Sequence, residues 1–234
     1  FDGIEFRGVQ EEIYTPKVKE FTKENIEATK RRFKAAGLEI PVFSSGAVLC
    51  REDENAIKEA FDYVDLSAAF GSGCVRALAD ENPFPQNKID ESLLVKNLDR
   101  VCGYAAEKKV NICIETNGAF SGSEDILRII KSVKRDNLFV IWDIHHTYRY
   151  GGETPGQTFS RIGGYIKHVH VKDSVTQNGK IVYKLLGDGD VPVKDALKEL
   201  YKAGYKGFIC LEWVKRWALE LTEPGIAFPS FMFY

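Results

Sequence analysis

The sequence predicts an α/β fold of repeated βα units wound into a (β/α) barrel, and three observations carry that expectation. Short apolar runs alternate with amphipathic stretches along the chain, the pattern of strand and helix in turn rather than of a sandwich. The 234 residues are 44% hydrophobic and 12% aromatic, enough to bury a full core, and barrels of roughly 200 to 250 residues commonly form one domain. Periodicity alone leaves open whether the parallel strands close or stay a doubly wound sheet. Closure is favoured by the third observation, a set of chemically active residues at the ends of the late apolar runs, which a barrel gathers at one mouth. Residues 1–234 are read as a single domain ending in an aromatic tail, 217–234.

Seven strands are expected: GIEFRG (3–8), LEIPVFS (38–44), CVRALA (74–79), VNICIET (110–116), LFVIWDI (138–144), IKHVHVK (166–172) and GFICLEW (207–213). Helices with polar faces are expected between them at 19–35, 53–70, 90–107, 123–134, 155–164 and 192–203. Ser123, Glu124 and Asp125 open one helix, while Gly37 and Gly204 fall just after two others, where left-handed caps are common. The stretch from Val171 to Leu186, which contains QNGK, reads as a small hairpin above the barrel. GDGD at 187–190 lacks the spacing of a nucleotide-binding loop and reads as a turn into a helix capped near Asp190. Seven strands are one short of the usual eight. The gap falls before Phe1, so the first βα unit is expected to be missing from this chain, or the barrel to be shortened.

Composition narrows the partners. A formal net charge of -2 lacks the excess of Lys and Arg that neutralises a phosphate backbone, so no nucleic-acid partner is expected. No stretch approaches the ~20 apolar residues of a membrane span, and the opening FDGIEFRG has no signal-peptide pattern. The five cysteines are scattered without a CxxC pair, which argues against a disulfide framework and suits a reducing cytoplasm. The expected partner is a small molecule. The tail, with Trp217, Phe228, Phe231, Phe233 and Tyr234, packs either across the barrel or against another copy, so a homo-oligomer is one of two expectations.

Four late strands end in residues able to bind a cation: Glu115, Asp143, His170 and Glu212. An ionised group inside an apolar run is costly to bury without a purpose. A single acid at a strand end more often caps a helix or pairs with lysine, but three acids and a histidine on four consecutive strands point to one divalent ion. Carboxylates with one imidazole suit Mn²⁺, Mg²⁺ or Co²⁺ better than a thiolate-loving ion, and Zn²⁺ is also compatible. All four histidines lie between 145 and 170. His168 and His170 share a strand face, with His170 the ligand and His168 a supporting or substrate contact; Lys172 continues that row. His146 is a candidate either to contact substrate or to bind a second metal, and His145 is the less certain of its pair. Arg7 and Glu5 on the first strand, Arg76 on the third, and Lys172 and Lys215 near later strand ends are candidates for binding hydroxyl, carboxylate or phosphate groups.

The segments DGIEFRG, AAFGSGCVRAL, ICIETN, VIWDIHH with GGETPGQ, YIKHVHVKDS and LLGDGDVPVKDALKELYKAGYKGFICLEWVKRW together resemble the sugar phosphate isomerase/epimerase group of the xylose isomerase-like TIM-barrel superfamily. The resemblance covers nearly the whole chain. It implies a divalent metal, often manganese, bound by Glu115, Asp143, His170 and Glu212, with His146 near the substrate. Relatives that epimerise ketoses carry a second glutamate shortly after the one matching Glu115, whereas Thr116 to Ser121 contain none here. The expected activity is isomerisation or epimerisation of a small sugar, keto-polyol or related hydroxy compound through an enediolate, with Glu115 or Glu212 as the acid/base. Alternatives are dehydration of a cyclic polyol ketone, metal-dependent hydrolysis of the kind that cuts DNA at abasic sites, and sugar binding without turnover.

Overall fold

The structure is a computed structural model that describes residues 1–86 and 88–234. From Phe43 onward the expected strands and helices follow in the expected order, joined by two helices that were not expected, Ile144–Arg149 and Pro224–Met232. β1 (Phe43–Val48), β2 (Cys74–Leu78), β3 (Asn111–Glu115), β4 (Leu138–Asp143), β5 (Ile166–Val171) and β8 (Ile209–Leu211) make one six-stranded sheet, with β8 beside β5. All its pairings are parallel. β6 (Asp173–Gln177) and β7 (Lys180–Lys184) form a separate antiparallel hairpin. Its turn is Asn178-Gly179, both at positive φ (50° and 73°), a geometry that twists with the strands and favours that residue pair.

The helices are α1 (Ile26–Ala36), α2 (Glu54–Phe70), α3 (Glu91–Glu107), α4 (Ser123–Val133), α5 (Ile144–Arg149), α6 (Pro155–Ile162), α7 (Val193–Lys202) and α8 (Pro224–Met232). Their ends follow local chemistry. The Asp53 carboxylate accepts from Asn55 N and that of Asp90 from Ser92 N and Leu93 N, satisfying amides that have no partner within the helix. Gly37 and Gly204 stand at φ 67° and 69° after α1 and α7, the left-handed conformation that costs glycine nothing.

Four boundaries differ from expectation. Segment 3–8 is held by isolated parallel bridges, Gly3 to Glu39 and Phe6 to Phe43, rather than by a continuous ladder. The next strand begins at Phe43 instead of 38, because Pro41 interrupts the ladder with no N–H to donate. The first helix starts at Ile26 instead of 19: Thr22 and Asn25 side chains both donate to Lys19 O (3.1 and 2.9 Å) and hold this stretch in tight turns. Asp190 does not cap α7, whose cap position is Pro192; its carboxylate pairs with Arg149.

Two layers of packing enclose the sheet. Outward-facing Phe43, Val75, Ile112, Ile114 and Val140 pack with helix residues such as Leu94, Leu98, Ile126 and Ile129. Trp142, Val169 and Val171 meet Val193, Ala196 and Leu200 of α7. Inside the wall, Val42, Cys74, Cys113 and Ile141 form a small apolar floor, with the two thiols 3.0 Å apart. The wall has one seam. Among the described residues, no main-chain hydrogen bond joins segment 3–8 to β8; between them lies a slot of about 490 Å³ lined by Phe1, Ile4, Ile209, Leu211, Phe228 and Phe231 among others.

Candidate metal and substrate site

Strand register brings the polar residues together. Glu115 is the last residue of β3, Asp143 ends β4 and is paired with His170 on β5, and His170 is paired with Cys210 on β8. Glu212 follows at once, its N–H bonded to Val171 O at 3.1 Å. Parallel strands with alternating side chains thus put four donor residues at the carboxyl ends of adjacent strands. Ligand atoms of Glu115, Asp143, His170 and Glu212 all lie within 4.8 Å of one another.

The acids are balanced by buried cations. Arg76 Nη1 donates to Glu115 Oε2 at 2.9 Å and lies 3.8 Å from Glu212 Oε1. Lys172 Nζ donates to Asp143 Oδ2 at 2.6 Å and also to Glu212. Burial opposes charge on Lys172, yet Asp143 and Glu212 raise its pKa well above the ordinary lysine value. For Glu212, burial alone would raise the pKa, but Lys172, His170, His146 and Arg76 hold the carboxyl well below its usual range.

Glu5, from segment 3–8, reaches across the interior to β5. Its Oε2 lies 2.9 Å from Nε2 of both His168 and His170. Although burial opposes it, His170 and His168 keep Glu5 ionised by lowering its pKa well below the usual value. An ionised carboxylate only accepts, so both rings carry their proton on Nε2 toward it. His170 Nδ1 is thereby turned to the mouth, 3.3 Å from Glu115 Oε1 and 3.7 Å from Glu212 Oε1. A carboxylate behind an imidazole whose other nitrogen faces a donor cluster is a recurrent feature of metal sites.

Asp143 also caps α5, taking His146 N at 2.9 Å on Oδ1. His146 Nδ1 donates to Thr116 O at 2.9 Å, because a carbonyl can only accept. Burial, then Lys172, lowers the His146 pKa, so the ring is neutral and its Nε2 lone pair is left for a ligand. His145 is turned elsewhere. It stacks on Tyr183 of the hairpin, bonds Ser174 through Nε2 at 3.0 Å, and is pushed down to about 2, chiefly by burial.

A cavity of about 580 Å³ opens over these groups. Of the expected substrate contacts, Arg7, Arg76, His146 and Lys172 line it, together with Glu115 and Glu212. His168 does not; it lies behind, against Glu5. Lys215 is also absent from the lining, because its ammonium is taken up by Leu219 O, Leu221 O and Glu223 in the chain that follows. Sequence reasoning did not place Asn117, Tyr183, Trp213, Trp217 or Phe228 on the wall. Tyr183 had a usable signal, since the hairpin carrying it was foreseen above the mouth.

The residues fit a divalent cation by their charge. Glu5, Glu115, Asp143 and Glu212 are four carboxylates in one buried network, against the two permanent cations Arg76 and Lys172. The excess of two negative charges equals the charge of one such ion. A protonated His170 offsets part of it: burial opposes that charge, but Glu5, Glu212 and Glu115 raise the pKa well above the ordinary histidine value.

The family model described as xylose isomerase-like TIM barrel matches residues 1–228. Fructoselysine 3-epimerase of Escherichia coli O157:H7 is 22% identical, covering 97% of this chain and 84% of that protein. Inosose dehydratase of Geobacillus thermodenitrificans is 27% identical over 65% of this chain and 54% of its own length. The crystal structure of a xylose isomerase domain protein from Planctomyces limnophilus superposes with a TM-score of 0.73 at 22% identity, covering 93% of this chain and 84% of the other. A likeness at that identity shows the fold alone.

Proposed function

The chain belongs to the xylose isomerase-like TIM barrel family, and on that premise we propose that it is a divalent-metal-dependent isomerase or epimerase of a small sugar or keto-polyol. The observation that carries this reading is the excess of carboxylate at the strand ends, where three acids and one imidazole converge within 4.8 Å. Mn²⁺, or failing it Mg²⁺, Co²⁺ or Zn²⁺, would be held by Glu115, Asp143, His170 and Glu212, and supplies the charge withdrawal that acidifies a C–H beside a carbonyl.

The chain's own groups then divide the work. Glu212 lines the cavity with its side chain 17% exposed, whereas Glu115 is 2% exposed. Glu212 is therefore the carboxylate placed to take a proton from the carbon beside the carbonyl, with Glu115 beneath it. Lys172, between Asp143 and Glu212, balances the charge and is the donor within reach for the return step. His146 accepts a substrate hydroxyl on Nε2, and Arg76 holds Glu115 in place. Proton return to the neighbouring carbon gives an isomer, and return to the opposite face an epimer.

A dehydratase of a cyclic polyol ketone is the second reading. It is favoured by residues 116–121, which hold no second glutamate, and by the similarity to inosose dehydratase. One base and one adjacent acid, Glu212 and Lys172, suffice to remove a proton and release water.

The test is proton NMR in D₂O of ketoses, aldoses and an inosose with Mn²⁺-loaded protein. Solvent deuterium entering a recovered sugar or its isomer supports the first reading, and an enone product the second. Glu212→Gln is expected to slow either by at least ~10²-fold; undiminished turnover in that variant overturns the assigned role.

A further inference from the structure

Arg7 is the exception among the buried cations. Arg76, Lys172 and Arg149 each hold a carboxylate. Arg7 is half-buried, and among the described residues its only hydrogen bond runs from Nη1 to Ile13 O at 3.0 Å, with no carboxylate at ion-pairing distance. Glu59, the acid that attracts it, is engaged with Gly46 N at 2.5 Å. The other charged neighbours, Arg76 and Arg216, repel it. A guanidinium has five N–H donors, and leaving most of them without a partner in a half-buried place is unfavourable.

The surroundings are shaped around this group. Gly46 leaves the space that Arg7 Nη2 fills, since a Cβ there would collide with it. The guanidinium carbons of Arg7 and Arg216 each lie 5.8 Å from the centre of the Trp217 ring, and Arg216 is tied to Gln10 O. Arg7 and Trp217 line the same cavity as Glu115, His146, Lys172 and Glu212. One end of the cavity is thus rich in carboxylates, and another part of its wall carries a guanidinium that no carboxylate touches, Glu59 attracting it only from beyond ion-pairing distance.

The geometry points to an anion subsite at Arg7: the substrate carries a carboxylate or phosphate, which seats on the Arg7 guanidinium beside Trp217 while its carbonyl end lies at the carboxylate cluster. Planar guanidinium matches either oxyanion with two parallel hydrogen bonds, and Arg216, on the same Trp217 ring, adds positive potential near Arg7. This rests on the reading of the centre as a sugar-converting site and adds the class of its substrate.

Calorimetric titration of Mn²⁺-saturated protein with D-fructose, D-fructose 6-phosphate and 5-keto-D-gluconate tests it, using wild type, Arg7→Gln and Arg7→Lys, with thermal unfolding recorded for each. The expected result is that at least one of the two anions binds wild type ten-fold or more tightly than fructose. Arg7→Gln lowers that ratio at least ten-fold, and Arg7→Lys restores part of it. The phosphate and keto-acid arms tell which oxyanion the subsite takes. Equal binding of all three ligands, a preference that survives in Arg7→Gln, or no binding of either anion at millimolar concentration overturns the proposal. Failure of the parent reading shows separately, as absence of Mn²⁺ binding or of solvent exchange into any sugar.

Discussion

Glu5 illustrates how one side chain fixes the chemistry of two others. Its carboxylate takes Nε2–H from both His168 and His170, so neither ring is free to turn over. Glu5→Gln is expected to weaken Mn²⁺ binding roughly 10- to 100-fold by calorimetry and to lower stability to urea by about 1–3 kcal/mol, because an amide cannot accept both donors as well as an ionised carboxylate. The thiols behave differently. Cys102 is fully buried and burial pushes it up to about 12, so iodoacetamide at pH 8 should modify half-buried Cys50 well before Cys102, as peptide mapping over time would show. In the sequence, Glu115, Asp143, His170 and Glu212 were legible because each interrupts an apolar run. Glu5 was visible as a polar residue on a strand, but its partners, more than 160 positions away, were not. The same limit hid the fate of Lys215, which is decided by the fold of the tail.

At the scale of elements, local rules explain most of what could be foreseen. Helix stops at Gly37 and Gly204 and the Asn178-Gly179 hairpin follow from backbone conformations that few residues adopt. The cap of α3 gives a clean measurement: Asp90→Ala leaves Ser92 N and Leu93 N without their acceptor and is expected to cost ~1 kcal/mol in chemical denaturation. Where local rules failed, competing bonds were responsible. Asn25 and Thr22 bond to Lys19 O and delay α1. α5 went unseen because it is short and is capped by Asp143, the residue that closes β4. α8 begins at Pro224 and contains Pro229, so its pattern reads as an irregular tail. Part of that tail does pack across the barrel, with Phe228 and Phe231 ring centres each 6.1 Å from that of Phe1, while Phe233 is 90% exposed.

For the whole molecule, the carboxylate excess couples the candidate centre to stability. An ion that binds only the folded chain stabilises it by about 2.7 kcal/mol at a hundred times its Kd. Calorimetry should therefore show a rise in Tm with Mn²⁺, reversed by EDTA, and a smaller rise in Glu212→Gln. Helix-side packing sets the baseline: Leu98, fully buried between α3 and the sheet, should cost about 2–5 kcal/mol when cut to alanine. Among the described residues no helix is long and apolar enough to cross a membrane. The slot between segment 3–8 and β8 has a mechanical meaning. A ring stitched all round by main-chain hydrogen bonds opens only when a strand ladder breaks, but this one can hinge outward along a line that has none, where Glu5 clasping His168 and His170 is the chief polar fastening. Breathing should begin there, so the amides around Ile209–Leu211 should lose protection before those of β2 and β3, and loosening the clasp should widen that difference.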